Sequence, residues 1–332
     1  MRHGFTVVSK QEKKAVWLIS KYCRLPSQLV HYSDHFQIPG AYPARGFSIL
    51  RCLSRRQFDC TVIHARHGLL MAQGDRIPSR EVSYIDDVRV VSLCIPPYKR
   101  AQSAARIFGW IFFELKLFFM KTSDLPRPDY IVASSLSLLS VLNGLILKWR
   151  FKSKLIFEVR DIWPLLLVEN GGFSKHNPFV MLLQLVEWMG YKYADAIVAT
   201  MPNLGPHVEN VLGYPRSVNC VPMGIPEEML DQKKLPLPED LQRVFIPGKF
   251  IVTYVGSIGV DNALDTLFEA ARILQNESQI IFRIFGSGDL LDKYKSECSD
   301  LKHVFFGGAI PPAMVQSVLE KSSILYFATH PS

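Results

Sequence analysis

Residues 250–259 read FIVTYVGSIG and residues 279–288 read QIIFRIFGSG. Each is a short run of β-branched and aromatic residues that closes on a glycine turn. Each turn opens into a helical pattern, over residues 264–274 and 290–296. Apolar strands joined by helical crossovers are the signature of a parallel sheet covered on both faces, so the fold class is α/β. The alternation extends in both directions. Strands are expected at residues 16–20, 61–65, 88–93, 130–133, 154–159, 196–199 and 218–221 on one side. On the other they are expected at 303–305 and 324–327, with a helix over 314–321 between them.

A length of 332 residues suits two domains. The stretch 222–249, rich in proline and charge, interrupts the pattern and is the expected linker region. The expected division is therefore residues 1–225, a linker at 226–249, and residues 250–332. The second series ends five residues past an apolar strand with no closing helix, so the second domain is expected to be incomplete.

Composition narrows the classes. Hydrophobic residues make up 48% and charged residues 20% of the chain, which fits a globular protein and excludes disorder. Six scattered cysteines without a C-x-x-C pair suggest neither a disulfide framework nor a zinc knuckle. The polar N-terminus is unlike a signal peptide and no apolar run is long enough to span a bilayer, so the expected location is the cytosol. The net charge of +8 is uneven: residues 226–332 hold ten Lys/Arg and fourteen Asp/Glu, a net −4, which leaves +12 for residues 1–225. That surplus suggests an anionic partner, either nucleic acid or an acidic lipid surface. No nucleic-acid module is recognisable, which disfavours the former. Residues 104–121 (AARIFGWIFFELKLFFMK) form an unusually aromatic helix, readable either as interfacial on a membrane or as buried between sheet and neighbours; the basic surplus favours the membrane.

Ligands of open parallel sheets bind at the carboxyl ends of the strands. There the second half offers Gly256, Ser257 and Gly259, and Gly286 and Gly288, turns where backbone can approach a phosphate because no Cβ intervenes. Neither turn is G-x-G-x-x-G or a Walker loop, which disfavours ordinary dinucleotide and ATP enzymes. In the first half Glu158, Arg160 and Asp161 stand at a strand end before Trp163-Pro164, as a catalytic group or a structural ion pair. A polar loop over residues 21–44 carries His31, His35 and Gly40 and is a candidate binding loop. The pairs His31/His35 and His64/His67 could share helical faces, yet no carboxylate or cysteine has matching spacing and no Asp-x-Asp occurs, so no metal is expected.

These stretches together resemble glycosyltransferase family 4, and within it the bacterial surface-polysaccharide (O-antigen/capsule) enzymes. The likeness is carried by VWLISKY (16–22), GAYPAR (40–45), FEVRDIWP (157–164) with its E-x-R-D-x-W-P, YADAIV (193–198), VPMGI (221–225), and YVGSIG (254–259) with NALDTL (262–267). The resemblance implies a GT-B fold of two Rossmann-like domains, with the acceptor in the first and the nucleotide sugar in the second. It implies sugar transfer with retention of configuration. Helix dipoles and backbone amides, without metal or other cofactor, would stabilise the departing diphosphate. Gly256, Ser257, Gly259, Gly286 and Gly288 would face the donor, Gly40, Arg45 and Glu158 would lie on the acceptor side, and Arg160 and Asp161 would lie beside the reacting sugar. The partners implied are a nucleoside-diphosphate sugar, UDP-sugar favoured, and a polyprenyl-diphosphate-linked glycan at the inner face of the cytoplasmic membrane.

The chain also departs from the family pattern. Arg160 stands where many members carry histidine, and an arginine cannot act as a base. Met223 replaces the asparagine of V-P-N-G, no Arg and Lys follow Gly259 at the place where they clamp the diphosphate, and the Glu-x7-Glu element would lie beyond Ser332. The alternatives are a sugar-nucleotide epimerase of the same fold, or a catalytically silent protein that acts as a binding module.

Overall fold

The computed structural model describes residues 13–23, 25, 30–33, 36–38, 45–67, 78–96, 104–135, 137–169, 172–225 and 235–327. The chain forms two compact units, residues 1–24 with 43–224 and residues 25–42 with 225–332. After β1 (Ala15–Ile19), β2 (Val30–Ser33) and β3 (Phe36–Ile38) pair antiparallel within the segment expected to be loop. The first unit then continues through α1 (Arg45–Arg55), β4 (Asp59–His67), β5 (Arg80–Ile85), β6 (Val88–Ile95), α2 (Ala104–Phe118) and β7 (Tyr130–Ser134). It ends with α3 (Ser140–Phe151), β8 (Lys154–Val159), α4 (Leu165–Glu169), α5 (Pro178–Tyr193), β9 (Ala196–Ala199), α6 (Leu204–Leu212) and β10 (Val218–Cys220).

Eight of these strands form one sheet in the order β10-β9-β8-β7-β1-β4-β6-β5. Every pairing is parallel except β5 with β6. β5 was not expected from the sequence. Its hairpin turns at Asp86 and Asp87, both with positive φ (48° and 60°), a conformation that Asp tolerates by bonding its own backbone. From β1 the chain builds outward to β4 and β6, then returns across β1 to begin β7, so the order reverses between β1 and β7. Alternation along β1 serves both faces. Leu18 meets α1 at Gly46, where any Cβ would sit 2.5 Å from its Cδ2, while Trp17 and Ile19 join the core cluster with Phe113 of α2, Leu145 of α3 and Val186 of α5. α5 begins on a capping side chain: Asn177 accepts from the Phe179 amide at 2.9 Å, with Pro178 at the first helical position.

α2 has two apolar faces. Trp110, Phe113 and Leu117 are buried, whereas Phe108 (70%), Ile111, Phe112, Leu115, Phe118 and, just past the helix, Phe119 (78%) are exposed. Each set recurs at helical spacing, so the buried helix and the surface helix read from the sequence are opposite sides of one element. No helix among the described residues is long and apolar enough to cross a membrane. Within the buried face sits Glu114, which accepts hydrogen bonds from Ser137 Oγ (3.1 Å), Ser140 Oγ (2.6 Å) and Asn143 Nδ2 (2.7 Å) of the α3 region. Burial pushes its carboxyl up to about 7, against the pull of those donors and of the Lys21 ammonium.

The second unit contains α7 (Glu239–Arg243), β11 (Phe250–Val255), α8 (Asp265–Ile273), β12 (Ile280–Phe285), α9 (Leu291–Glu297), β13 (Val304–Gly308), α10 (Pro312–Leu319) and β14 (Ile324–Leu325). Its sheet is wholly parallel, in the order β13-β12-β11-β14. Residues read from the sequence as linker are packed here: Leu237, Leu241 and Phe245 are buried with Ile251, Ile281 and Phe285. Arg283 of β12 is buried too, and its guanidinium donates to the carbonyls of Val244, Phe282 and His303. Burial lowers its pKa.

The two glycine turns of this unit pack backbone against backbone. A Cβ on Gly286 (φ +147°) would lie 1.8 Å from the Gly256 carbonyl oxygen, and one on Gly288 (φ +159°) would lie 2.3 Å from that of Ile258. At Gly259, with an extended φ of −134°, a Cβ would meet nothing within 4 Å.

Two outcomes are expected. Gly286→Ala should lose on the order of 2–3 kcal/mol in denaturant unfolding, because strain and overlap fall on rigid backbone, while Gly259→Ala should stay within about 1 kcal/mol of the parent. Glu114, with its folded pKa raised, stabilises most when protonated, and that contribution declines as pH rises from about 4.5 to about 7. Glu114→Gln should therefore gain roughly 2–3 kcal/mol relative to the parent between pH 5 and pH 8 in paired melts, and a pH-independent difference would refute the assignment.

Candidate functional site

The order reversal between β1 and β7 fixes where a ligand crevice of the first unit opens, outside the carboxyl ends of the strands. β1 runs into Ser20 and Lys21. Lys21 is 2% exposed, its ammonium 5.0 Å from the Tyr22 ring and 5.8 Å from that of Trp110. Cys23 follows, also buried; burial raises its thiol to about 12, opposed by a hydrogen bond at Phe47 and by the Arg160 charge.

β7 runs into Ser135, which organises the end of β8. The amides of Arg160 and Asp161 donate to Ser135 Oγ at 2.9 and 3.4 Å, and its hydroxyl donates to the Asp161 carbonyl at 3.3 Å. Thr200, past β9, donates to the Arg160 carbonyl at 3.3 Å. Four bonds to neighbouring strand ends thus fix the backbone of Arg160 and Asp161, and both side chains remain half-exposed. Just beyond, the Trp163 ring meets Trp110 edge-on, 5.6 Å between centroids, and Trp163-Pro164 is a cis peptide.

Arg45, the first residue of α1, reaches along this edge. Its Nε donates to Glu158 Oε1 at 3.0 Å, its Nη1 to the Pro222 carbonyl at 2.6 Å and its Nη2 to the Val221 carbonyl at 2.8 Å. Both side chains of the Arg45–Glu158 pair are 7% exposed. The structure therefore brings together Arg45, Glu158, Arg160 and Asp161 of the residues expected from the sequence. Gly40, His31 and His35 cannot be placed, because Gly40, His35 and the side chain of His31 lie outside the described residues. Ser135 was not among the residues expected from the sequence. Lys21 was included only as the first residue of the candidate binding loop, and nothing in the sequence pointed to Thr200.

In the second unit the five expected residues meet at the carboxyl ends of β11 and β12. The Gly256 and Ile258 amides donate to the carbonyls of Phe285 (3.0 Å) and Ser287 (2.9 Å), and the Gly286 amide to that of Gly308 (2.8 Å). The amides of Ser257, Gly259, Ser287 and Gly288 have no acceptor among the described residues. The bonded amides hold the two turns together, and the four unbonded ones are main-chain donors at the strand ends. Gly286 and Gly288 make room for the neighbouring loop, and Gly259 alone faces open space.

Among the described residues no group of three or more His, Cys, Asp or Glu is placed to hold a metal. His64 and His67 lie on a strand rather than a helix, and the buried His64 Nε2 pairs with Ser92 Oγ at 2.8 Å.

No family model matches the chain. It is 24% identical over 212 residues to a protein described as probable glycosyltransferase WbjE of Pseudomonas aeruginosa, a match covering 61% of this chain and 51% of that one. The chain thus spans about half the length of the curated relative it matches. Among solved structures, one described as trehalose-6-phosphate from E. coli bound with UDP-2-fluoro glucose has a TM-score of 0.65 at 12% identity, over 95% of this chain and 78% of that one. The α,α-trehalose-phosphate synthase (UDP-forming) of Burkholderia vietnamiensis has a TM-score of 0.63 at 10% identity, over 96% and 79%. Anabaena Alr3699/HepE in complex with UDP and glucose has a TM-score of 0.58 at 11% identity, over 95% and 74%. The chain shares with these structures an α/β fold of GT-B type, built on sheets that are wholly or mainly parallel.

Proposed function

We propose that the chain is a retaining glycosyltransferase of family 4 that moves a sugar from a nucleoside-diphosphate sugar, UDP-sugar favoured, to a lipid-linked glycan in surface-polysaccharide synthesis. The observation that carries this reading is the carboxyl edge of the second unit's sheet, where the amides of Ser257, Gly259, Ser287 and Gly288 have no acceptor among the described residues. A fold shared over almost the whole chain with structures that hold UDP or a UDP-sugar supports it. So does the similarity to a probable glycosyltransferase.

On this reading the amides bind the diphosphate and offset the charge that grows on it as the glycosidic bond breaks. Arg160 stays charged throughout, so it binds an anionic group or orients Asp161 and takes no proton. The immobilised backbone of these two residues keeps that orientation from being lost to solvent. The reaction class needs no metal, since amides and helix N-termini supply the positive end. The acceptor's polyprenyl chain implies work at a membrane surface, on the inner face of the cytoplasmic membrane. The exposed Phe108, Phe112, Phe118 and Phe119 and the basic surplus of residues 1–225 support peripheral attachment through α2.

Titration calorimetry with UDP and with GDP should give weak binding that favours UDP, weakened further by Gly288→Ala; a folded sample that gives no heat with either would remove the donor site. Sedimentation with anionic liposomes should carry the protein down, and Phe112→Glu with Phe118→Glu should leave most of it in the supernatant. Equal sedimentation of the doubly charged variant would sink the membrane assignment.

A further inference from the structure

Arg45 was expected to shape an acceptor cleft, yet its geometry is that of a strut. Three of its donors are engaged: Nε with Glu158, Nη1 with the Pro222 carbonyl and Nη2 with the Val221 carbonyl. The side chain is 7% exposed, as is its carboxylate partner. A group so enclosed and so fully engaged is poorly placed to bind a substrate that comes and goes.

What Arg45 holds is informative. The Val221 amide still donates to the Ala199 carbonyl of β9 at 2.8 Å, so Val221 is the last residue of this run under sheet control. Pro222 has no amide to offer. Met223 (58%) and Ile225 (67%) are exposed, and the first unit ends at Gly224. Among the described residues, the Arg45 fork is therefore the last side-chain hold on the chain before the first unit ends. The other end of the strut is Glu158, whose carbonyl accepts from the Ser135 amide at 2.9 Å. Ser135 in turn holds the amides of Arg160 and Asp161.

We infer that Arg45 and Glu158 are positioning residues that lock the exit of the connecting segment, residues 221–224, to the same anchor that fixes Arg160 and Asp161. The segment that carries the chain toward the donor-side unit and the loop that carries the reacting groups then cannot shift independently. Arginine is required for this. A planar fork can serve a carboxylate and two carbonyls at once, whereas an ammonium on a flexible stem can replace the charge but not the three directions. The kinetic part of this inference rests on the proposed transferase reading; the structural part does not.

Hydrogen exchange by mass spectrometry on the full chain separates the two parts. Arg45→Ala should speed exchange of peptides covering 218–224 and 159–163 by about tenfold or more, the factor matching loss of a charge-assisted bond of about 1.4 kcal/mol. Peptides from β4 and β6 should be unchanged. Arg45→Lys, which keeps the charge beside Glu158 and is the safer variant to fold, should restore protection at 159–163 but not at 218–224. In a sugar-transfer assay both variants should lower kcat, Arg45→Ala by about 10–100-fold, with KM for donor and acceptor little changed. Unchanged exchange at 218–224, equal loosening of β4 and β6, full rescue by lysine, or a rise in acceptor KM at constant kcat would each overturn the inference. A parent protein without transferase activity would count against the functional reading, and the exchange results would still decide the strut.

Discussion

At the carboxyl edge of a parallel sheet the strands stop and their main-chain groups lose the partners that the ladder supplied, and each must find another or pay for burial. In the first unit those groups are satisfied by side chains from neighbouring strand ends. Ser135 serves Arg160 and Asp161, Thr200 serves Arg160, and Arg45 serves Val221 and Pro222. The candidate reacting groups therefore do not stand on a free loop. Their backbone is the meeting point of β7, β8 and β9, and the rigidity expected of a site follows from the same bonds that close the sheet edge.

The second unit meets the constraint by another route. Its loops satisfy one another through main-chain bonds, which demands an approach so close that Gly286 and Gly288 admit no Cβ. The interlocked turns leave four amides, those of Ser257, Gly259, Ser287 and Gly288, without an acceptor among the described residues. Loop packing thus leaves unused donors at the strand ends, where ligands of open parallel sheets bind.

The sequence made much of this legible, and the limits have physical causes. Strands β1, β4, β6 to β9, β11 and β12 each contain a short β-branched or otherwise apolar stretch, and such stretches stand out. β5 is an edge strand with residues 82–84 exposed and a turn made by Asp86-Asp87 rather than a glycine, so neither run nor turn announced it. The strand-end residues Glu158, Arg160 and Asp161 were found by position. Ser135 escaped because a lone serine carries no chemistry in a sequence, and its importance lies in three contacts made across strands. α2 was ambiguous for a sound reason, since a helix apolar on two faces satisfies both a core and a surface, and only the packing of Glu114 against α3 shows which side is which.

The uneven charge of the chain takes on a mechanistic meaning in this light. Residues 226–332 carry a net −4, and the turns 256–259 and 286–288 contain neither lysine nor arginine. A diphosphate drawn to this unit would gain little from long-range attraction and would be held by short, directional amide bonds, which screen weakly with salt because they act at contact. The first unit, with +12, is the reverse: its surplus acts at a distance, suits a broad anionic surface, and falls off within a Debye length of about 10 Å. Under the proposed reading, partner recognition divides along the same line as the charge. A small nucleotide is selected by geometry in the second unit, and a membrane-borne acceptor is gathered by field and apolar contact in the first. The two should then respond differently to ionic strength, the acceptor side losing most as salt rises.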